Sequence, residues 1–169
     1  MATPSSTLRK GRRRITPLGW ALRGAVAGAA GTTALNAVTY LDMAIRGRPS
    51  SSTPRQVVET IAEKVHVSIP GDEKTRANRV EGLGPLAGLG GGVVVGLAVG
   101  LARAAGLRTH PLVGILLTTV GAMVPGNGPM AVLGITDPRN WSTTEWLSDV
   151  VPHLAYGAVV KTTMDAFDR

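Results

Sequence analysis

Long stretches without ionisable side chains constrain this chain more than any other feature. Residues 82–102 hold no ionisable residue over 21 positions, and within the 28 positions of 109–136 only His110 can titrate. A third uncharged run covers the 18 positions of 24–41. A helix of about 20 residues spans the roughly 30 Å hydrocarbon core of a bilayer. The sequence therefore predicts an all-α, multi-pass integral membrane bundle.

The pattern predicts about four membrane-embedded helices and one polar connection. They form a single membrane domain over 17–169, with helices at about 17–45, 85–107, 111–135 and 144–167. The segment 46–81 is too polar to cross a bilayer and is expected to be extramembrane. Within it, residues 53–65 place their apolar side chains on one helical face. This predicts a short amphipathic helix that lies either on the membrane or on the rest of the chain.

A cluster of cations precedes the first acidic residue, formed by Arg9, Lys10, Arg12, Arg13 and Arg14. A net charge of +7 in a soluble protein would suggest nucleic acid. Ahead of an apolar helix, the positive-inside rule instead predicts a basic cytoplasmic tail at 1–16 that contacts anionic lipid headgroups. With four spans, Arg103 and Arg108 join the tail on the cytoplasmic side of the inner (plasma) membrane. We expect no nucleic-acid partner.

The same basic start also permits a cleaved signal peptide. Arg23 interrupts the first apolar run early, and the apolar pattern then continues to Ile45. A signal peptide would have a short uninterrupted apolar core followed by a cleavage site. We therefore expect the first helix to be retained.

Glycine recurs at every fourth position of the second span, at Gly84, Gly88, Gly92, Gly96 and Gly100. Each weakens a helix in water by about 1 kcal/mol relative to alanine. In lipid, a stripe without side chains lets another helix approach closely. Gly24 and Gly28 repeat the spacing in the first span, so the partner is either that helix or another copy of the protein. A phosphate-binding loop is excluded because no strand or Lys-Ser/Thr pair accompanies the glycines.

A row of polar residues follows the last helix at four-residue spacing: Asp149, His153, Gly157, Lys161 and Asp165. Ionisable groups in a span usually face protein or water, so one interpretation is a proton or ion path with His153 titrating. Asn36, expected to be buried in the first span, is a further candidate. The other interpretation places Asp149 and Lys161 near the two interfaces, with Lys161 paired to Asp165.

A second candidate site is the motif Pro125, Gly126, Asn127, Gly128 and Pro129. Two prolines and two glycines predict a break in the third span. Unwound backbone inside a membrane marks transport sites, because it needs a protein or water-filled surrounding. The alternative is an ordinary turn outside the membrane.

Residues for familiar enzyme chemistry are not evident. The chain has no cysteine, which excludes thiolate catalysis, disulfides and Cys-ligated metal. No Ser-His-Asp triad, catalytic carboxylate pair or HExxH motif occurs. His66, His110 and His153 lack metal-ligand spacing. We expect no metal and no cofactor.

Three segments carry a resemblance to known proteins: GAAGTTALNAVTYLDMAIRGR, the STP-x-Q segment and PHLAYGAV. Together they resemble small uncharacterised polytopic membrane proteins of actinobacteria. The resemblance covers most of the chain. It implies a membrane topology and implies no activity, cofactor or catalytic residue.

These observations favour a non-enzymatic membrane scaffold or accessory subunit that forms a homo-oligomer or joins a larger membrane complex. The alternative is a proton or ion channel, or a small transporter, that uses the polar row. A lipid-modifying membrane enzyme is the third possibility, based only on polar groups near the interfaces.

Overall fold

The computed structural model describes residues 15–169, which form five α-helices, one short 3-10 helix and no strand. The helices are α1 (Pro17–Arg46), α2 (Thr53–Lys64), α3 (Glu73–Ala104), α4 (Pro111–Val132) and α5 (Thr143–Ala166). The 3-10 turn is Pro138–Asn140. The predicted all-α class is confirmed. The tail cations Arg9, Lys10, Arg12, Arg13 and Arg14 lie outside the described residues.

Side-chain caps mark where three of the four long helices begin. The Thr16 side chain accepts a first-turn N–H bond, and Pro17 supplies a φ angle suited to the first position of α1. Asp72 caps α3 in the same way. At α5, Ser142 and Glu145 form a reciprocal capping box. These caps satisfy N–H groups that have no partner within the helix.

The predicted boundaries of the second span are wrong at its start. α3 begins at Glu73, twelve residues before the expected position 85, and ends at Ala104. Pro85 lies inside the helix rather than opening it. The flanking Gly82 and Gly84 carry no side chains that would crowd the proline ring, and Gly82 has open space around it. The last nine residues of the expected extramembrane segment 46–81 are therefore the first part of a long helix.

The predicted helix break at residues 125–129 is also wrong. α4 is helical from Pro111 to Val132, with Pro125 and Pro129 inside it. The two prolines are four residues apart, so both missing N–H groups lie on one helical face. Gly121, four residues before Pro125, has no side chain that would add to the crowding around the proline ring. The helix therefore continues through both prolines and lacks the two backbone hydrogen bonds that their N–H groups would have donated.

The four long helices pack as an antiparallel bundle in which α1 contacts α3 and α5, and α4 contacts α5 and, less extensively, α3. Gly24 near the start of α1 meets Gly100 near the end of α3, which shows the antiparallel arrangement. α2 lies against the first part of α3, where Pro54 packs on Gly84. We call the end where α1 begins and α3 and α5 end the N-terminal end.

Small residues fill most of the helix contacts, Trp20, Tyr156, Val160 and Met164 are the large members of the buried core, and many other large apolar side chains face outward. The buried glycines, alanines and threonines of the long helices include Ala27, Thr32, Gly96, Thr118 and Ala122. The exposed large apolar residues include Leu18, Leu22, Val26, Leu86, Val94, Leu101, Leu112, Leu116, Leu117 and Val120. Two of the described helices, α3 and α4, are long and apolar enough to cross a membrane. Only 11% and 17% of their most apolar 18-residue windows are buried.

Candidate functional site

The glycines of α1 and α3 form a close backbone contact within one chain. The position of a Cβ atom on Gly24 is occupied by the carbonyl oxygen of Gly96, and that of Gly96 by the oxygen of Gly24. The Cβ position of Gly100 is likewise taken by the carbonyl oxygen of Trp20, and that of Gly28 lies 2.5 Å from the oxygen of Gly92. This arrangement directs glycine Cα–H groups at carbonyl oxygens across the helix pair. Any larger residue would push the backbones apart.

The remaining glycines of the stripe have different surroundings. Gly84 lies against Pro54 of α2. At Gly88, and at the nearby Gly90 outside the stripe, an added Cβ atom would meet no other atom within 4 Å. A Cβ on Gly92 would lie 3.3 Å from the Thr32 Cβ. That spacing is close to the roughly 3.5–4.5 Å of a disulfide. Because the chain has no cysteine, Thr32→Cys with Gly92→Cys makes a background-free cross-link reporter of α1–α3 packing.

Tyr156 joins α5 to this helix pair. Its side chain is 1% exposed, and its hydroxyl donates a 2.6 Å hydrogen bond to the carbonyl oxygen of Gly92. The ring also packs where Gly31 has no side chain. The carbonyl of Gly92 thus binds a side chain from a second helix, which fixes the relative positions of α1, α3 and α5.

We expect Tyr156→Phe to lower the free energy of unfolding by about 1 kcal/mol, the usual net value of one hydrogen bond. The ring stays in place, so the loss reports the hydroxyl alone. Denaturant titration in detergent measures it. Tyr40→Phe is the matched control, because Tyr40 is 60% exposed. An equal loss in both variants would contradict the assigned role of the Tyr156 hydroxyl.

A network of ion pairs lies at the N-terminal end. Arg103 contacts Asp165 at 2.6 Å and Asp168 at 3.1 Å, and Lys161 pairs with Asp165. The side chains of Arg103 and Lys161 are each only 6% exposed. Arg108 reaches Asp168 at 3.4 Å. Buried cations need such partners, so this network ties the ends of α3 and α5 together.

A second polar cluster lies between α4 and α5. Asn127 Nδ2 donates to Asp149 Oδ2 at 2.7 Å, and His153 Nδ1 lies 3.4 Å from Asp149 Oδ1. The same Nδ1 is 2.7 Å from the backbone oxygen of Asp149, which can only accept, so Nδ1 carries the proton. In the neutral ring, Nε2 is then the acceptor. It faces Gly126, where an added Cβ atom would lie 3.4 Å from Nε2. The cluster therefore links α4 to α5 through the hydrogen bond between Asn127 and Asp149.

The predicted polar row is therefore divided into two pairs. Asp149 and His153 belong to the cluster with Asn127, whereas Lys161 and Asp165 belong to the network with Arg103. Between them Gly157 packs directly against Thr119 of α4. Asn36, which the sequence analysis expected to be buried, is exposed on α1. Its side-chain amide therefore lies outside the helix contacts of the bundle.

The three histidines lie in separate places. His66 and His110 are exposed, in the link after α2 and just before α4, while His153 is in the cluster with Asp149. Among residues 15–169, no group of three or more His, Cys, Asp or Glu side chains could hold a metal ion.

The loop between α4 and α5 carries a self-contained ion pair. The Asp137 carboxylate accepts bonds from Arg139 Nε at 3.0 Å and Nη2 at 2.9 Å, and these bonds hold the pKa of Asp137 below its ordinary value. Trp141 follows, bonded through Nε1 to Thr136 at 2.8 Å and packed edge-on against Trp146. Tryptophans of this kind are common at headgroup depth.

A depressed pKa stabilises this loop only while Asp137 is ionised. The stabilisation by this ion pair is complete at pH values above the unfolded-state pKa of Asp137, about 3.9. It is lost as the pH falls through the lower pKa of the folded state. We expect a carboxyl carbon NMR titration to place the Asp137 midpoint below 3.9 and Arg139→Gln to move it upward. An unchanged midpoint in Arg139→Gln would contradict this assignment.

Several residues of these sites have no sequence signal that links them. The sequence marks Arg103 only as a charge that bears on topology and Tyr156 only as part of the segment PHLAYGAV, and it gives no signal for Asp168. Their roles depend on partners 60 or more residues away for Arg103 and Tyr156. The four-residue spacing of Lys161 and Asp165 was the one visible signal for the ion network.

Comparisons with protein-family models, with curated proteins and with solved structures found no match to this chain. The resemblance to actinobacterial membrane proteins stays a prediction. Function is therefore argued from the geometry.

Proposed function

We propose that this chain is a four-span integral membrane protein that acts as a non-enzymatic scaffold or accessory subunit. The observation that carries the proposal is the outward display of large apolar side chains on helices whose buried residues are mostly glycine, alanine and threonine. A soluble protein rarely exposes large contiguous apolar surface, whereas a bilayer covers it. Helices in lipid associate through close packing rather than apolar burial, which suits the glycine contact of α1 and α3.

α1 and α5 complete the proposed four spans. α1 has 30 residues and α5 has 24, lengths of about 45 and 36 Å at 1.5 Å per residue. Both contact helices of the apolar pair along their length, and the ionisable groups of α5 are paired within the bundle. Paired interior charges are the usual form in which a membrane span tolerates them.

The scaffold role is supported by the part of α3 that the chain itself leaves uncovered. Gly88 and Gly90 are exposed and have open Cβ positions, while Gly96 and Gly100 on the same helix are buried against α1. A second copy or another membrane protein can approach the backbone closely there. We therefore infer self-association or binding to a larger complex through these uncovered glycine positions of α3, which lie on two different faces of the helix.

Native mass spectrometry of the protein released from mild detergent tests this role. We expect oligomers of the wild type, and fewer of them for Gly90→Leu. The matched control is Val94→Leu, an exposed position on the same helix that already carries a side chain. A strictly monomeric wild type without a bound partner would count against the scaffold proposal.

Proton or ion conduction is the second candidate, and one observation favours it. Asn127, Asp149 and His153 come from two sequence motifs and form one partly buried cluster, with Asp149 and His153 side chains 19% and 13% exposed. Ionisable side chains within a span that face protein are candidates for an ion or proton path. Flux in proteoliposomes, compared between wild type and His153→Ala, tests this candidate. No pH-dependent flux in either protein would remove it.

A further inference from the structure

A cavity of about 790 Å³ lies at the N-terminal end of the bundle, outside the glycine contact and the Asn127 cluster. Four arginines and one aspartate are among its lining residues: Arg23, Arg103, Arg108, Arg169 and Asp168. Trp20 and Phe167 form part of its apolar wall. Its volume is in the usual range for a small-molecule site. The cavity combines positive charge with an aromatic surface, which is the chemistry of an anionic amphiphile site.

Neighbouring groups hold the Arg23 guanidinium in place without neutralising its charge. Its Nη1 donates a 3.0 Å bond to the Phe167 carbonyl oxygen, and its guanidinium lies 5.4 Å from the ring centroids of both Trp20 and Phe167. Within residues 15–169 its partners are thus one carbonyl group and two aromatic rings, and none of them is acidic. The two rings and the carbonyl orient the guanidinium, while its remaining N–H groups are available to an oxyanion.

The other arginines of the cavity differ in how far they are committed. Arg103 is buried and satisfied by Asp165 and Asp168. Arg108 is 58% exposed and holds Asp168 only at 3.4 Å, so it can also reach a ligand at the mouth. Arginine is suited to this role because its planar fork binds phosphate with two parallel hydrogen bonds.

We propose that this cavity binds the phosphate headgroup of an anionic phospholipid, with Arg23 and Arg108 contacting the phosphate and Trp20 and Phe167 contacting its apolar part. The inference rests on the proposed membrane location. It differs from the general attraction of the tail cations because it assigns a defined site between helices. Basic pockets between spans at a membrane surface are a known form of headgroup recognition. The basic tail joins the described chain at Ile15, which also lines the cavity.

Trp20 gives the site its own reporter. The chain has three tryptophans, so Trp141→Phe with Trp146→Phe leaves Trp20 as the only one. The detergent-solubilised full chain is titrated with dihexanoyl phosphatidylglycerol, with dihexanoyl phosphatidylcholine and with inorganic phosphate while Trp20 fluorescence is recorded. We expect a saturable response to phosphatidylglycerol at about tenfold lower concentration than to phosphatidylcholine, since each nearby arginine favours an anionic headgroup.

The test variant is Arg23→Gln with Arg108→Gln, and its matched control is Arg55→Gln with Arg139→Gln. The control removes the same charge from exposed positions away from the cavity. We expect the test variant to lose affinity for phosphatidylglycerol about tenfold or more and the control to keep it. The Thr32–Gly92 cross-link verifies that each variant is folded. Arg108→Gln alone, a change at an exposed residue, gives a second measurement with an intermediate loss.

Three outcomes overturn the proposal. They are equal affinity for both lipids, equal loss in the test and control variants, and a response to inorganic phosphate at the same concentration as to phosphatidylglycerol. The last would make the site one for soluble phosphate. Failure of the membrane proposal is separate, because it would show as a chain that does not sediment with membranes, whatever its lipid affinity in detergent.

Discussion

Gly96→Leu should separate α1 from α3 and lower the free energy of unfolding by at least about 3 kcal/mol, the upper part of the range for overpacking. The added side chain has no room, because backbone atoms of Gly24 and Gly28 already occupy the Cβ position. No rotamer change of a neighbour can relieve a clash with backbone. Detergent-based unfolding measures the loss, and the Thr32–Gly92 cross-link yield should fall with it.

The matched control is Gly88→Leu, two turns earlier on the same helix. A Cβ at Gly88 meets no atom within 4 Å, so the same substitution should leave the cross-link yield unchanged. Leucine is also the better helix former, which removes propensity as an explanation for a loss at Gly96. Equal destabilisation by both variants would show that α1 and α3 do not pack through these glycines.

The second large effect is expected for Asp165→Leu. This change removes a partner of both Lys161 and Arg103, whose side chains are nearly fully buried. Breaking a buried ion pair from one side typically costs about 3–5 kcal/mol, because an uncompensated charge remains in a poorly solvated site. Thermal unfolding in detergent measures the loss.

Two controls separate burial from simple charge loss. Lys161→Met combined with Asp165→Leu should recover part of the stability, because it removes both members of one pair. Asp137→Asn breaks the exposed pair with Arg139 and should cost much less stability than Asp165→Leu, because exposed ion pairs contribute little. If Asp137→Asn were as harmful as Asp165→Leu, the assigned burial of the network would be wrong.

Helix ends with local signals were predictable from the sequence. The expected helices 17–45 and 144–167 differ from α1 and α5 by one residue at most at each end. Proline caused the errors. The sequence pattern predicts a helix start at Pro85 and a break at Pro125 and Pro129, yet all three prolines lie inside helices. The free-energy cost of a proline inside a helix depends on what surrounds the preceding turn. The order of residue types along the sequence does not contain that information.

The candidate sites were also predictable only in part, because local spacing is visible in the sequence and the surrounding helices are not. Four-residue spacing marks which residues share a helix face, so it identified the glycines and the row of α5. It does not specify the partner helix. The division between Gly88 and Gly96 depends on where α1 lies, and the separation of His153 from Lys161 depends on the packing of Thr119 on Gly157. Arg23 gained its role only when the end of α5 brought Phe167 beside it.

The most direct test of the account is the side of the membrane on which each connection lies. Single cysteines in the cysteine-free chain, at Thr7, Ser51, Leu107 and Asn140, are labelled in intact cells with a membrane-impermeant maleimide. Four spans predict labelling at Ser51 and Asn140 and protection at Thr7 and Leu107 until the cells are lysed. If only α3 and α4 cross, Thr7 and Ser51 will lie on the same side, and that result would contradict the four-span bundle.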